Sequence, residues 1–190
     1  MKRRRQRLIL ILFLGFVAAG PAAYWWWQAW LERSQDVPIR LAARRYGVEP
    51  ALVKAIVWRE SHFHPRARGR AHEIGLMQLQ ATAAQEWADA EYLADFAHEH
   101  CFDPATNTLA GTWYFKKLLK RYALTDNPVP YALADYNAGR ANVLKWNSGA
   151  AATNSAVFTG QIGFPGTKDY VQSVMRRYAR YRPDFPPDDS

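Results

Sequence analysis

Glu60 is the residue whose type and setting could do chemistry. It is a lone acid closing an apolar run, Pro50-Ala51-Leu52-Val53-Lys54-Ala55-Ile56-Val57-Trp58-Arg59-Glu60-Ser61. At three- and four-residue spacing, Val53, Ile56 and Glu60 share one helical face, which aims the carboxyl to where the core face ends and a cleft could begin. Burial raises a carboxylic pKa, to about 6–7 in tuned sites, and so keeps a proton available near neutral pH. A stored proton of that kind suits cleavage of a glycosidic bond. The bland alternative is a solvated or ion-paired glutamate at a helix end, so the neighbouring motifs decide between them.

Those motifs come in a fixed order. Glu60-Ser61 is followed by Phe63 and Pro65, then Gly75-Leu76-Met77-Gln78, then Tyr136-Asn137-Ala138-Gly139, and finally Thr167 and Tyr170-Val171. In this series the chain resembles the soluble-type lytic transglycosylase domain of the lysozyme-like superfamily, over roughly residues 37–182. The resemblance implies a predominantly α, lysozyme-like catalytic domain. It also implies cleavage of the MurNAc–GlcNAc β-1,4 linkage of peptidoglycan with 1,6-anhydro ends, a lyase reaction needing no cofactor. Glu60 would be the acid and then the base. Met77, Gln78, Tyr136, Asn137 and Tyr170 would bind the glycan strand, with the Tyr136 hydroxyl orienting Glu60 and Tyr170 forming a later aromatic wall. Beside these stand plainer roles: Met77 in the core, Asn137 as a helix cap, Tyr170 as packing.

Three positions depart from the family pattern. Gly69 stands where a serine is usual, His72-Glu73 where Gly-Ala is usual, and Pro165-Gly166-Thr167 where Pro-Glu-Thr is common. Glu73 is the replacement with chemical content: it is expected near Glu60, raising its pKa by like-charge coupling, or placing the sugar. The alternative is a surface carboxylate paired with Arg68 or Arg70. Two rival functions follow. A hydrolytic muramidase would use Glu73 or Asp135 as the second carboxylate, and a catalytically silent wall-binding protein would keep only the groove.

These side chains need helices to hold them. After residue 37 the apolar spacing is helical, with no long alternating strand pattern. A first helix is expected from Pro38 to Gly47 and a second from Pro50 to Ser61, followed by an exposed loop over 62–74. A short helix is expected near Thr82 to Trp87. Beyond a Pro104-Ala105-Thr106-Asn107 turn, a longer helix through Tyr122 would be capped by Asn107 or Thr106. Pro128 or Pro130 opens another, ended by Gly139, with a brief continuation over Val143 to Trp146. Residues 148–166 are expected to be a mobile loop, Thr167 to cap the last helix, and the chain after Tyr181 to fray.

The 190 residues, 49% of them hydrophobic, suffice for one core plus an appendage. The net charge of +8 points away from nucleic acid once apportioned, because Lys2, Arg3, Arg4, Arg5 and Arg7 hold five of those charges. Residues 1–7 are expected to be a basic cytoplasmic tail, 8–31 a transmembrane signal-anchor, 32–37 a linker, 38–182 the catalytic domain on the periplasmic side of the inner membrane, and 183–190 a flexible tail. Tyr24, Trp25, Trp26, Trp27 and Trp30 suit a membrane interface better than a mature soluble terminus, although Ala18 to Ala23 could also serve a signal peptidase. The lone Cys101 excludes an internal disulfide. His98-Glu99-His100-Cys101 has poor spacing for a metal, and none is expected.

Overall fold

In the computed structural model the described residues are 2–187, and the side chains of residues 2, 3, 8–16 and 18 lie outside them. The chain divides into two units, Met1–Gln35 and Asp36–Ser190. The first is a single helix, α1 (Lys2–Ser34), with Pro21 inside it. Tyr24, Trp25, Trp26, Trp27 and Trp30 are exposed along it. The side chains of the most apolar part of the expected anchor, residues 8–16 and 18, lie outside the described residues. Among those described, no helix is long and apolar enough to cross a membrane.

The second unit is helical, with no strand among its described residues, only the isolated bridges Arg68↔Ile74 and Ile74↔Leu79. Its helices are α2 (Asp36–Tyr46), α3 (Pro50–Ser61), α4 (Ala81–Ala90), α5 (Pro104–Arg121), α6 (Pro128–Ala138), α7 (Arg140–Trp146), α8 (Ser155–Gln161) and α9 (Pro165–Tyr181). Residues Pro50 to Val57 of α3 are all buried, as befits a helix apolar on every side. Pro50 opens α3, where its missing N–H costs nothing, and the left-handed His62 closes it with its N–H on the Trp58 carbonyl. Buried Lys54 is satisfied by Asp36 at 2.7 Å and faces the rings of Phe185 and Tyr181. α3 packs on α2 and α9, while α5 packs on α2, α4 and α6. The groove described below opens beside the end of α3.

Four expectations give way here. Residues 104–107 are the first turn of α5, because Pro104 sits at its start and Asp103, not Asn107 or Thr106, caps it by accepting the Thr106 N–H at 2.8 Å. The 148–166 stretch holds a 3₁₀ turn (Gly149–Ala152) and α8, capped by Asn154 and anchored by the fully buried Phe158, which stacks on Tyr131 with centroids 4.0 Å apart. Thr167 lies inside α9 and donates to Asn137 rather than to its own helix end. From Tyr181 to Pro187 the chain stays packed: Phe185 is buried beneath the Arg40 guanidinium, and Arg40 donates to the Pro186 carbonyl at 2.7 Å.

Candidate active site

Glu60 stands on the last turn of α3, partly buried, at the edge of a groove of about 550 Å³. α9 runs against α3, and Arg59 fastens the two through Ser173 (3.0 Å) and Asp169 (3.2 Å). This docking brings the buried Tyr170 of α9 to Glu60, where its hydroxyl donates to Oε1 at 2.5 Å. Burial pushes the Glu60 carboxyl up to about 7, the Tyr170 hydrogen bond and the Arg59 charge pull against this, and Glu73 pushes with it. Tyr170 keeps its proton, because burial first and the Glu60 charge second raise it well above the usual phenol range.

Around Glu60 the groove is lined by Glu73 and Gln78 from the 62–79 segment, Thr82 and Glu86 from α4, Tyr114 from α5, and Asp135, Tyr136 and Asn137 from α6. The 62–79 segment is held in an unusual backbone. His62, Phe63, His72 and Gln78 all have positive φ, at a cost of about 1–2 kcal/mol for each side-chain-bearing residue. Asn107 of α5 holds the segment in that shape. Fully buried, it donates to the carbonyls of Ile74 (2.9 Å) and Cys101 (2.8 Å) and accepts the Met77 N–H at 2.7 Å. Gly75 is needed at this contact, since its φ is +78° and an added Cβ would fall 2.8 Å from Asn107 Cγ and closer still to the Cys101 carbonyl. His98, expected to hold no metal, has Nε2 2.9 Å from the Leu79 carbonyl behind this same wall.

Of the residues expected to form the site, Glu60, Glu73, Gln78, Tyr136 and Asn137 share the groove, while Met77 and Tyr170 do not line it. Met77 is wholly buried, its thioether against Gly111 and the Thr112 hydroxyl, because only the glycine at 111 leaves room for it. Tyr136 is also placed differently from expectation. Its hydroxyl donates to the Met77 carbonyl at 2.7 Å and so braces the groove wall, while orienting Glu60 falls to Tyr170. Asn137 is exposed in the groove with its Oδ1 held by Thr167. Asp135 is buried and its Oδ2 takes both Arg121 (2.6 Å) and the Tyr122 hydroxyl (2.7 Å). Asn107 is not the helix cap that its sequence position suggests, but the residue that fixes the groove segment. Its signal was a polar residue on the apolar stripe with Ala110, Gly111, Phe115 and Leu118.

The described helices make a lysozyme-like fold, the fold of the lytic transglycosylases. Solved structures with this fold include a lytic transglycosylase Slt inactive mutant from Pseudomonas aeruginosa, with TM-score 0.71 and 24% identity over 80% of this chain and 25% of that one. Another is the 70-kDa soluble lytic transglycosylase of Escherichia coli, with TM-score 0.66 and 25% identity over 75% of this chain and 24% of that one. The chain belongs to the Transglycosylase SLT domain family, whose sequence profile matches residues 38–158. The membrane-bound lytic murein transglycosylase C of Klebsiella pneumoniae is 37% identical over a 150-residue alignment that covers 74% of this chain and 42% of that protein. The chain thus spans less than half the length of the curated relatives it matches.

Proposed function

We propose that this chain is a membrane-anchored peptidoglycan lytic transglycosylase in which Glu60 serves as both acid and base. One observation carries the reading: a carboxyl beside an open groove, held near pKa 7 by burial and accepting a hydrogen bond from Tyr170. Glu60 would give its proton to the oxygen bridging MurNAc and GlcNAc as the C1–O bond breaks. The 2-acetamido group of the sugar stabilises the cationic carbon, so no protein nucleophile is required. The Glu60 carboxylate, steadied by Tyr170, then takes the proton of the muramyl C6 hydroxyl while that oxygen closes on C1. The 1,6-anhydro end forms without consuming water, and Glu60 recovers its proton. Closure within one bound sugar benefits from a high effective concentration of the attacking hydroxyl.

Asp135 is a poor second carboxylate for a hydrolytic reaction, because Arg121 and Tyr122 already occupy it. The family match and the relatives named as lytic transglycosylases support the same choice. No step calls for a cofactor. Gln78 and Asn137 offer amide groups for the acetamido and hydroxyl groups of the strand. The basic residues 2–7, the apolar run after them and the exposed tryptophans of α1 support a single inner-membrane span with the domain on the periplasmic side, and the 37%-identical relative is itself named membrane-bound. Digestion of purified murein by the detergent-solubilised chain, with mass analysis of the ends, tests the reading. Anhydro-muramyl ends that vanish in Glu60→Gln are expected, whereas reducing ends would replace it with a hydrolase.

A further inference from the structure

Gly69 is a glycine without a backbone reason. Its φ is not positive, unlike those of Gly47, Gly75, Gly139 and Gly149, so its conformation is open to any residue. What crowds a side chain there is Glu73, with Gln78 beside it. A Cβ on Gly69 would lie 3.0 Å from Glu73 Cδ, closer still to its Oε2, and 2.9 Å from Gln78 Oε1. The turn between them folds the carboxylate back over the glycine: the Gly69 N–H donates to the Glu73 carbonyl at 2.7 Å, the Ala71 N–H donates to Glu73 Oε2 at 2.9 Å, and His72 supplies the left-handed residue.

The result is a pair of acceptors set side by side in the groove beside which Glu60 stands. Gln78 spends its amide N–H on the Gly75 carbonyl at 2.9 Å, which leaves its oxygen for other donors. A carboxylate offers about four lone-pair sites, and the Ala71 N–H takes one of those on Glu73. The neighbouring Arg68, an expected ion-pair partner, lies over the Phe102 ring with its guanidinium 4.5 Å from the centroid. A wall of adjacent acceptors, one of them anionic, suits the N–H and O–H groups of an uncharged N-acetylated sugar and opposes an anionic one.

We propose that Gly69 and Glu73 work as a matched pair, the glycine vacating the space into which the Glu73 carboxylate folds, and that this carboxylate binds an N–H or O–H donor of a neutral N-acetylated saccharide next to Glu60. This rests on the groove being a glycan site, as proposed above, and deepens it by fixing what one wall selects.

The test is a double-substitution cycle read by calorimetric binding of the neutral probe chitotetraose, with Glu60→Gln as the parent so that nothing turns over. Glu73→Ala is expected to weaken binding about 10-fold, and Glu73→Gln, which keeps an acceptor, by about 3-fold. Gly69→Ala should reproduce the Glu73→Ala loss by displacing the carboxylate, and adding it to Glu73→Ala should weaken binding by no more than about 2-fold further. Binding by Glu73→Ala within about 2-fold of the parent, or multiplied losses in the double variant, would overturn the pairing. If Gly69→Ala does not fold, the ranking of the two Glu73 variants decides alone. Because the readout is binding, its failure is distinct from failure of the transglycosylase reading, which is decided by product ends.

Discussion

Glu60 and Asp135 line the same groove, yet their surroundings treat a carboxylate in opposite ways. Glu60 sits among apolar side chains of α3 with a neutral phenol as its hydrogen-bond donor, so burial raises it to about 7. Asp135 is at least as buried, but it meets a guanidinium at 2.6 Å and a second hydroxyl at 2.7 Å. Depth alone therefore does not set the role of a groove acid; the groups that hold it do. One carboxyl is left able to give and retake a proton, while the other holds α5 to α6.

That contrast is broken most severely by Glu60→Gln, which is expected to lower the rate of anhydro-muropeptide release by about 10³-fold or more with the fold intact, as followed by chromatography of murein digests. Next comes the other acid's partner. Arg121→Ala leaves Asp135 buried beside Tyr122 without its cation, and should cost about 3–5 kcal/mol of stability in denaturant unfolding.

A third outcome has the opposite sign. The Glu60 pKa is higher in the folded protein than its ordinary value of 4.5, so the folded state holds the extra proton between pH 4.5 and about 7. Stability is therefore fullest below that window and falls as pH rises through it. Glu60→Gln removes the cost, and should be more stable than the parent at pH 8 by about 2–3 kcal/mol at most, with the difference fading by pH 4. The smallest effect belongs to Tyr170→Phe. Its hydrogen bond favours the carboxylate, so its loss moves the Glu60 pKa upward and shifts the alkaline limb of the pH–rate profile, where the acid loses its proton, to higher pH, with a rate loss of about 10-fold.

Why only part of this was legible in the sequence follows from the same residues. Glu60 announced itself because α3 is apolar on all sides and one acid ends it, a local pattern. The phenol that orients it comes from elsewhere: Tyr170 is 110 positions away, as Arg121 is 14 from its partner Asp135, and no periodicity reports such pairings. Asn107 resembled a helix cap because short polar residues do serve there, while its actual work, three hydrogen bonds to the Ile74–Met77 backbone and Cys101, depends on a loop packed from across the domain. The helix starts at Pro50 and Pro128 were readable from proline chemistry. Pro104 obeyed the same rule but was taken for a turn. Residues 148–166 looked mobile from their small side chains, and the single buried Phe158 outweighs them.

The central claim is that one carboxyl beside this groove keeps its proton to near neutrality. It is tested most directly by carbon NMR of the δ-carboxyl of labelled glutamate, titrated with pH and assigned to Glu60 by the signal that Glu60→Gln removes. A midpoint at about 7 is the predicted result. A midpoint near 4.5, the ordinary glutamate value, would contradict it.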